Sequence, residues 1–123
     1  MTATKTCVFC AIVRGDAPAT IVREWPDAIA IVPKGGVTAG GGHLLVLPRC
    51  HVATAVEDAT VTGTVAKRGA DLAIELGWTD ANLIVNVGPY GSQTVLHLHW
   101  HLLRRRLGDG ILLPWPQPLQ ESA

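Results

Sequence analysis

The sequence predicts an α+β fold, a small antiparallel sheet packed against one long helix and one short helix. Two observations predict it. Five short windows are β-branched, alternating or continuously apolar and are bounded by turn signals, and only one long window repeats its apolar residues at helical spacing. Such a sheet needs cover on a face, which the two helices can supply. At 123 residues and 48% hydrophobic composition, the chain fits a single domain over 1–123 with a real core.

The elements follow in order. "CVFCAIVRG" reads as a short helical turn stopped by Gly15. "APATIVREW" and "DAIAIVP" read as two strands split by the turn Trp25-Pro26-Asp27. "KGGVTAGGG" is a loop, because five glycines in nine residues do not hold regular structure. "HLLVLP" fits a buried strand closed by Pro48. The long helix begins near Glu57 and Asp58 and ends at Gly77, where caps belong. Val61, Val65, Leu72 and Leu76 fall on one stripe, while Gly63 and Gly69 each cost about 1 kcal/mol relative to alanine. "ANLIVNVG" and "TVLHLHWHLLRR" are the last two strands. The ending "GDGILLPWPQPLQESA" is proline-rich, and Ile111, Leu112, Leu113 and Trp115 suggest that it docks on a surface.

Net charge is zero, so no global field draws nucleic acid or an anionic membrane to the chain. Arg104, Arg105 and Arg106 form the only basic run and read as a solvated strand end. "MTATKTCVFC" lacks signal architecture, and no apolar stretch reaches the roughly 20 residues of a membrane span. The expectation is a soluble, cytoplasmic protein with neither nucleic-acid nor membrane partner. Three cysteines, an odd number without a signal segment, argue against a disulfide framework. Cys7 and Cys10 have a spacing that suits one metal or one redox pair.

"QTVLHLHWHLL", residues 93–103, carries three of the chain's five histidines at alternate positions. On a strand, Leu96, Leu98, Trp100 and Leu102 share the face that packs on the helix, and His97, His99 and His101 share the other. Successive histidines then stand roughly 6.6 Å apart. Such a row suits a metal, phosphate chemistry or a polar ladder against another chain. The flanking residues tip the balance toward phosphate. Gly88 and Gly91 in "NVGPYGSQTV" let backbone N–H groups turn toward an anion, and Asn86, Gln93 and Thr94 add side-chain donors.

These motifs resemble those of the histidine triad (HIT) family. His97-Leu98-His99-Trp100-His101-Leu102-Leu103 matches its H-φ-H-φ-H-φ-φ signature. "CVFCAIVRGDAPATIV" resembles its N-terminal segment, "GHLLVLPRCH" its central strand, and "NVGPYGSQTV" the phosphate loop before the triad. The resemblance covers most of the chain and leaves 108–123 as a variable C-terminal tail. It implies a HIT-like fold of five antiparallel strands and two helices, paired as a homodimer. It also implies a nucleotide-binding hydrolase that moves a nucleoside 5′-phosphoryl group to an imidazole and then to water. Substrates of that kind are phosphoramidates, acyl-nucleotides or dinucleoside polyphosphates.

By motif position His99 is the nucleophile. His101 donates to the phosphoryl oxygen and serves the leaving group, and His43 supports the nucleophile's ring. Asn86, Ser92, Gln93, Thr94 and His101 hold the phosphate. Mutual repulsion suggests a row divided between neutral and charged rings. Cys7, Cys10, His51 and His97 match the structural zinc ligands of some bacterial relatives, and no organic cofactor is implied. Three departures stand out. The family's usual ribose-gripping aspartate is absent from Ile31-Val32-Pro33-Lys34, the glycine loop before His43 is longer, and Ser92 replaces a glycine. The missing aspartate leaves open a second class of function, a catalytically weak nucleotide-binding homodimer acting as an interaction or sensor module.

Overall fold

The computed structural model describes residues 6–38 and 41–116. Ala39 and Gly40 of the glycine loop and the tail beyond 116 lie outside the described residues. Helix α1 spans Val8–Arg14. The Cys7 sulfur caps it by accepting from the Cys10 amide, and Gly15 ends it in the left-handed region at φ 83°. Strands β1 (Ile21–Glu24) and β2 (Ala28–Ile31) form a hairpin around Trp25–Asp27. β3 (His43–Pro48) follows the glycine loop. Asp58 then caps α2 (Ala59–Leu76) by accepting from the Val61 amide, and Gly77 closes it at φ 70°. β4 (Ala81–Val85) and β5 (Trp100–Arg104) complete one sheet in the order β1-β2-β3-β5-β4, antiparallel throughout. This is the predicted fold class, a five-stranded antiparallel sheet with one long and one short helix. Among the described residues no helix is long and apolar enough to cross a membrane.

The helices do not share a face. Val65 and Leu72 of α2 pack with Ala30, Leu44, Val46, Leu98 and Leu102. Phe9 and Ile12 of α1 pack with Ile29, Ile31, Leu45 and Leu47, the residues that alternate with the first set on β2 and β3. Both strands are therefore buried on both faces, which explains why "AIAI" and "HLLVLP" read as continuous apolar runs. Gly69 has a packing reason that its helix propensity hides. A Cβ there would stand 2.9 Å from Leu83 Cδ1, so glycine lets α2 lie close against β4.

The triad strand is shorter than predicted. Residues 95–97 bend and only Trp100–Arg104 pair as β5. Upstream, the Leu98 amide donates to Val52 O at 2.6 Å and His99 Nδ1 pairs with His97 O at 2.8 Å, so bonds outside the sheet replace the ladder. Leu96 is consequently 62% exposed and not on the core face. Arg105 also departs from the expected solvated end. Its guanidinium binds both Asp109 oxygens at 2.8 and 3.1 Å, Asn82 Oδ1 at 2.7 Å and Ile111 O at 3.1 Å. This latch turns the tail back, half-burying Ile111 and Leu113 while Leu112 and Trp115 stay exposed.

Candidate active site and metal cluster

The site forms on the α1 face of the sheet, where β3 and β5 run side by side. Leu45 pairs with His101 and His43 with Leu103, so His43 and His101 stand diagonally on one face. His43 Nε2 meets His101 Nδ1 at 3.0 Å, and the Val37 N–H donates to His43 Nδ1 at 3.0 Å. His43 thus bonds His101 and not the ring of His99, as motif position had suggested, because His99 lies before the paired strand. His99 stands beside His101, ring centroids 5.1 Å apart, and Phe9 of α1 meets it edge-on at 5.1 Å.

Burial is the main cause that lowers the pKa of all three rings. It pushes His101 down to about 4, helped by the neighbouring His99 and His43. His43 is also depressed, chiefly by burial and then by His99. Burial depresses His99 too, although the His97 carbonyl opposes this. The row is accordingly neutral near pH 7, not divided between charged and uncharged rings. Since His99 Nδ1 faces a carbonyl, that nitrogen carries the hydrogen and Nε2 keeps its lone pair.

A cavity of about 520 Å³ adjoins the row, lined by His43, Asn86 and His101 with Val37, Ile84, Leu103 and residues 110–113. Val37 and the tail segment were not singled out as site residues from sequence. Only the glycine loop and the apolar spelling of "ILL" marked them. Asn86 follows β4, and its Nδ2 donates to Ser92 O at 3.4 Å. Gln93 faces the scaffold. Its Oε1 accepts from Gly88 N at 3.0 Å, and Nε2 donates to Ala53 O at 2.7 Å and Val95 O at 2.9 Å. Ser92 and Thr94 are exposed on the same loop, and Ser92 holds φ 67°. Gly91 admits no side chain, since a Cβ would fall 2.1 Å from Val87 O.

Cys7, Cys10, His51 and His97 converge behind the row. Their ligand atoms all lie within 4.8 Å of one another. Zn–S bonds of about 2.3 Å and Zn–N bonds of about 2.0–2.1 Å give tetrahedral edges of roughly 3.3–3.8 Å. The separations match. His97 Nδ1 is 3.4 Å from Cys7 Sγ, 3.5 Å from Cys10 Sγ and 3.3 Å from His51 Nδ1, which is itself 3.3 Å from Cys10 Sγ. His97 Nε2 pairs with Pro48 O at 2.9 Å, so it carries the hydrogen and leaves the Nδ1 lone pair toward the cluster. Two thiols and two imidazoles so arranged fit zinc.

Comparison with known proteins agrees with this geometry. The family model described as "HIT domain" matches residues 14–108. An uncharacterized HIT-like protein of Mycobacterium tuberculosis is 37% identical over 84% of this chain and 74% of its own length. A Zn-bound histidine triad family protein from Mycobacterium smegmatis superposes with a TM-score of 0.71 at 39% identity, covering 85% of this chain and 78% of the other. A HIT family hydrolase from Clostridium thermocellum gives a TM-score of 0.77 at 32% identity, covering 90% and 100%.

Proposed function

The chain belongs to the HIT domain family, and from that premise we propose that it is a nucleotide hydrolase working through a covalent nucleotidyl-histidine. The observation that carries this reading is the hydrogen bond from His99 Nδ1 to His97 O, which orients the ring with Nε2 free to attack, while burial favours its neutral form. His99 Nε2 bonds to the 5′-phosphorus of a nucleoside phosphoramidate, acyl-nucleotide or dinucleoside polyphosphate as the bond to the leaving group breaks. The leaving group departs with the bonding pair and takes one proton from a water molecule. The remaining hydroxide attacks phosphorus, the P–N bond to His99 breaks, and a nucleoside 5′-monophosphate is released. His101 donates to a phosphoryl oxygen and His43 holds His101. Asn86, Thr94 and the Ser92 region of the loop cradle the phosphate, with Gln93 shaping that loop.

His99→Ala should lose turnover of an adenosine phosphoramidate while keeping its circular dichroism spectrum and its nucleotide affinity. Near wild-type rates in that variant would overturn the assignment. A second reading, a catalytically weak nucleotide-binding module, is favoured by a cavity lining that contains no carboxylate. Steady-state turnover by the wild type separates the two.

Cys7, Cys10, His51 and His97 would hold zinc in a closed, structural set that ties α1 to the segment before β5. The nucleotide reaction itself needs no organic cofactor. The family's pairing of sheets, together with β4 at the sheet edge, supports a C2 homodimer. Light scattering that returned the 13.0 kDa monomer mass would refute it.

A further inference from the structure

We propose that the backbone N–H of Val37, delivered by the glycine-rich loop between β2 and β3, fixes the tautomers of His43 and His101 so that His101 presents Nε2–H to the substrate's phosphoryl oxygen. The final step rests on the nucleotidyl reading above, whereas the tautomers rest on geometry alone.

A backbone amide can only donate. Its 3.0 Å contact with His43 Nδ1 therefore requires a bare lone pair on that nitrogen. A neutral His43 must then carry its hydrogen on Nε2, which donates across 3.0 Å to His101 Nδ1. His101 Nδ1 is in turn an acceptor, and the His101 hydrogen sits on Nε2. That Nε2 is buried and has no hydrogen-bond partner among the described residues, while its ring lines the cavity. A buried N–H without an acceptor is costly, and a substrate oxygen would satisfy it. A neutral imidazole that surrendered this proton would become an anion, so the tautomer suits a donor held through the step.

The loop is built for this approach. A Cβ on Gly36 would stand 3.2 Å from His43 Nδ1, 3.3 Å from His43 Cβ and 3.4 Å from Pro33 Cγ. A side chain there would press on the ring and push the loop back by a few tenths of an ångström, and the next amide is the donor. Gly36 thereby acquires a task beyond flexibility. Val37 is a positioning residue, acting through His43 and His101 and through its backbone.

Long-range proton–nitrogen NMR on the full chain near neutral pH reads each tautomer directly. We expect protonated Nε2 and bare Nδ1 at both His43 and His101. Val37→Pro deletes the donor and Gly36→Ala displaces it. Either should shift His43 toward a mixture of tautomers and lower kcat roughly 3- to 10-fold at unchanged KM, the worth of one hydrogen bond. Val37→Ala, which keeps the N–H, should keep the wild-type signature. Protonated Nδ1 at His43 in the wild type would overturn the proposal, as would an unchanged His43 tautomer in Val37→Pro. A wild type with the expected signature but no turnover of a nucleoside phosphoramidate would support the tautomer lock while overturning the nucleotidyl reading.

Discussion

Gln93 separates two accounts of the phosphate loop. If its side chain is scaffold, Gln93→Leu removes one bond accepted from Gly88 N and two donated to Ala53 O and Val95 O. Each is worth about 1 kcal/mol net, and leucine offers the stranded amide and carbonyls nothing in return. Water reaches a half-buried position and recovers part of the loss, so the expected destabilisation is about 2–3 kcal/mol. Leucine fills a comparable volume, so a cavity adds little. For a chain of this size the Tm should fall by roughly 10 °C. Urea unfolding at constant m value measures the first quantity, and titration with a nucleoside monophosphate measures affinity on the same samples. A loss below about 0.5 kcal/mol with strongly weakened affinity would refute the scaffold account and make Gln93 itself the phosphate ligand.

Metal analysis of protein purified without chelator should find about one zinc per chain. Cys7→Ser with Cys10→Ser should lose it and lower the Tm, whereas metal-free protein of unchanged stability would refute the cluster's role. Because Val37, Ile84, Leu103 and residues 110–113 offer no carboxylate to ribose hydroxyls, matched ribo- and deoxyribo-phosphoramidates should differ little in kcat/KM. A preference for ribose above about 100-fold, or roughly 2.7 kcal/mol, would sink that expectation. His101 has a folded pKa of about 4, below its ordinary 6.5, so its neutral form favours the fold. Its contribution is complete above about 6.5 and is lost as pH falls toward 4. Urea midpoints across that window should decline, and less steeply in His101→Asn; a rise on acidification would contradict the sign.

The sheet and both helices were legible because their signals are local. Asp58 and Gly77 cap α2, and "HLLVLP" is apolar on both faces because both are covered. The histidine row was legible as a cluster but not in detail. Alternation alone does not reveal that the chain bends at 95–97, since the bend depends on Leu98 reaching Val52 and on a side chain replacing a ladder bond. The partner of His43 depends on strand register, which has no local mark. Gln93 was read as a donor to phosphate because composition does not say which way an amide faces. The Arg105–Asp109 latch was hidden for a similar reason: an arginine in a basic run looks solvated until its partner four residues on folds back. Cys7 and Cys10 announced a ligand pair, and their partners were placed by family resemblance, not by spacing.

The seven residues of α1 are too few to persist as an isolated helix. Beyond the packing of Phe9 and Ile12 on β2 and β3, Cys7 ties them to a histidine 90 positions further along the chain. At elongation rates of about 5–20 residues per second, that histidine is made roughly 5–18 seconds after the cysteine. The Cys7 side of this contact is thus made well before its partner, and it can settle only late. For that interval two thiols that end in a sheltered cluster stand open to oxidants and to stray metal ions. Redox and metal conditions during synthesis therefore bear on how much of the protein matures with α1 in place.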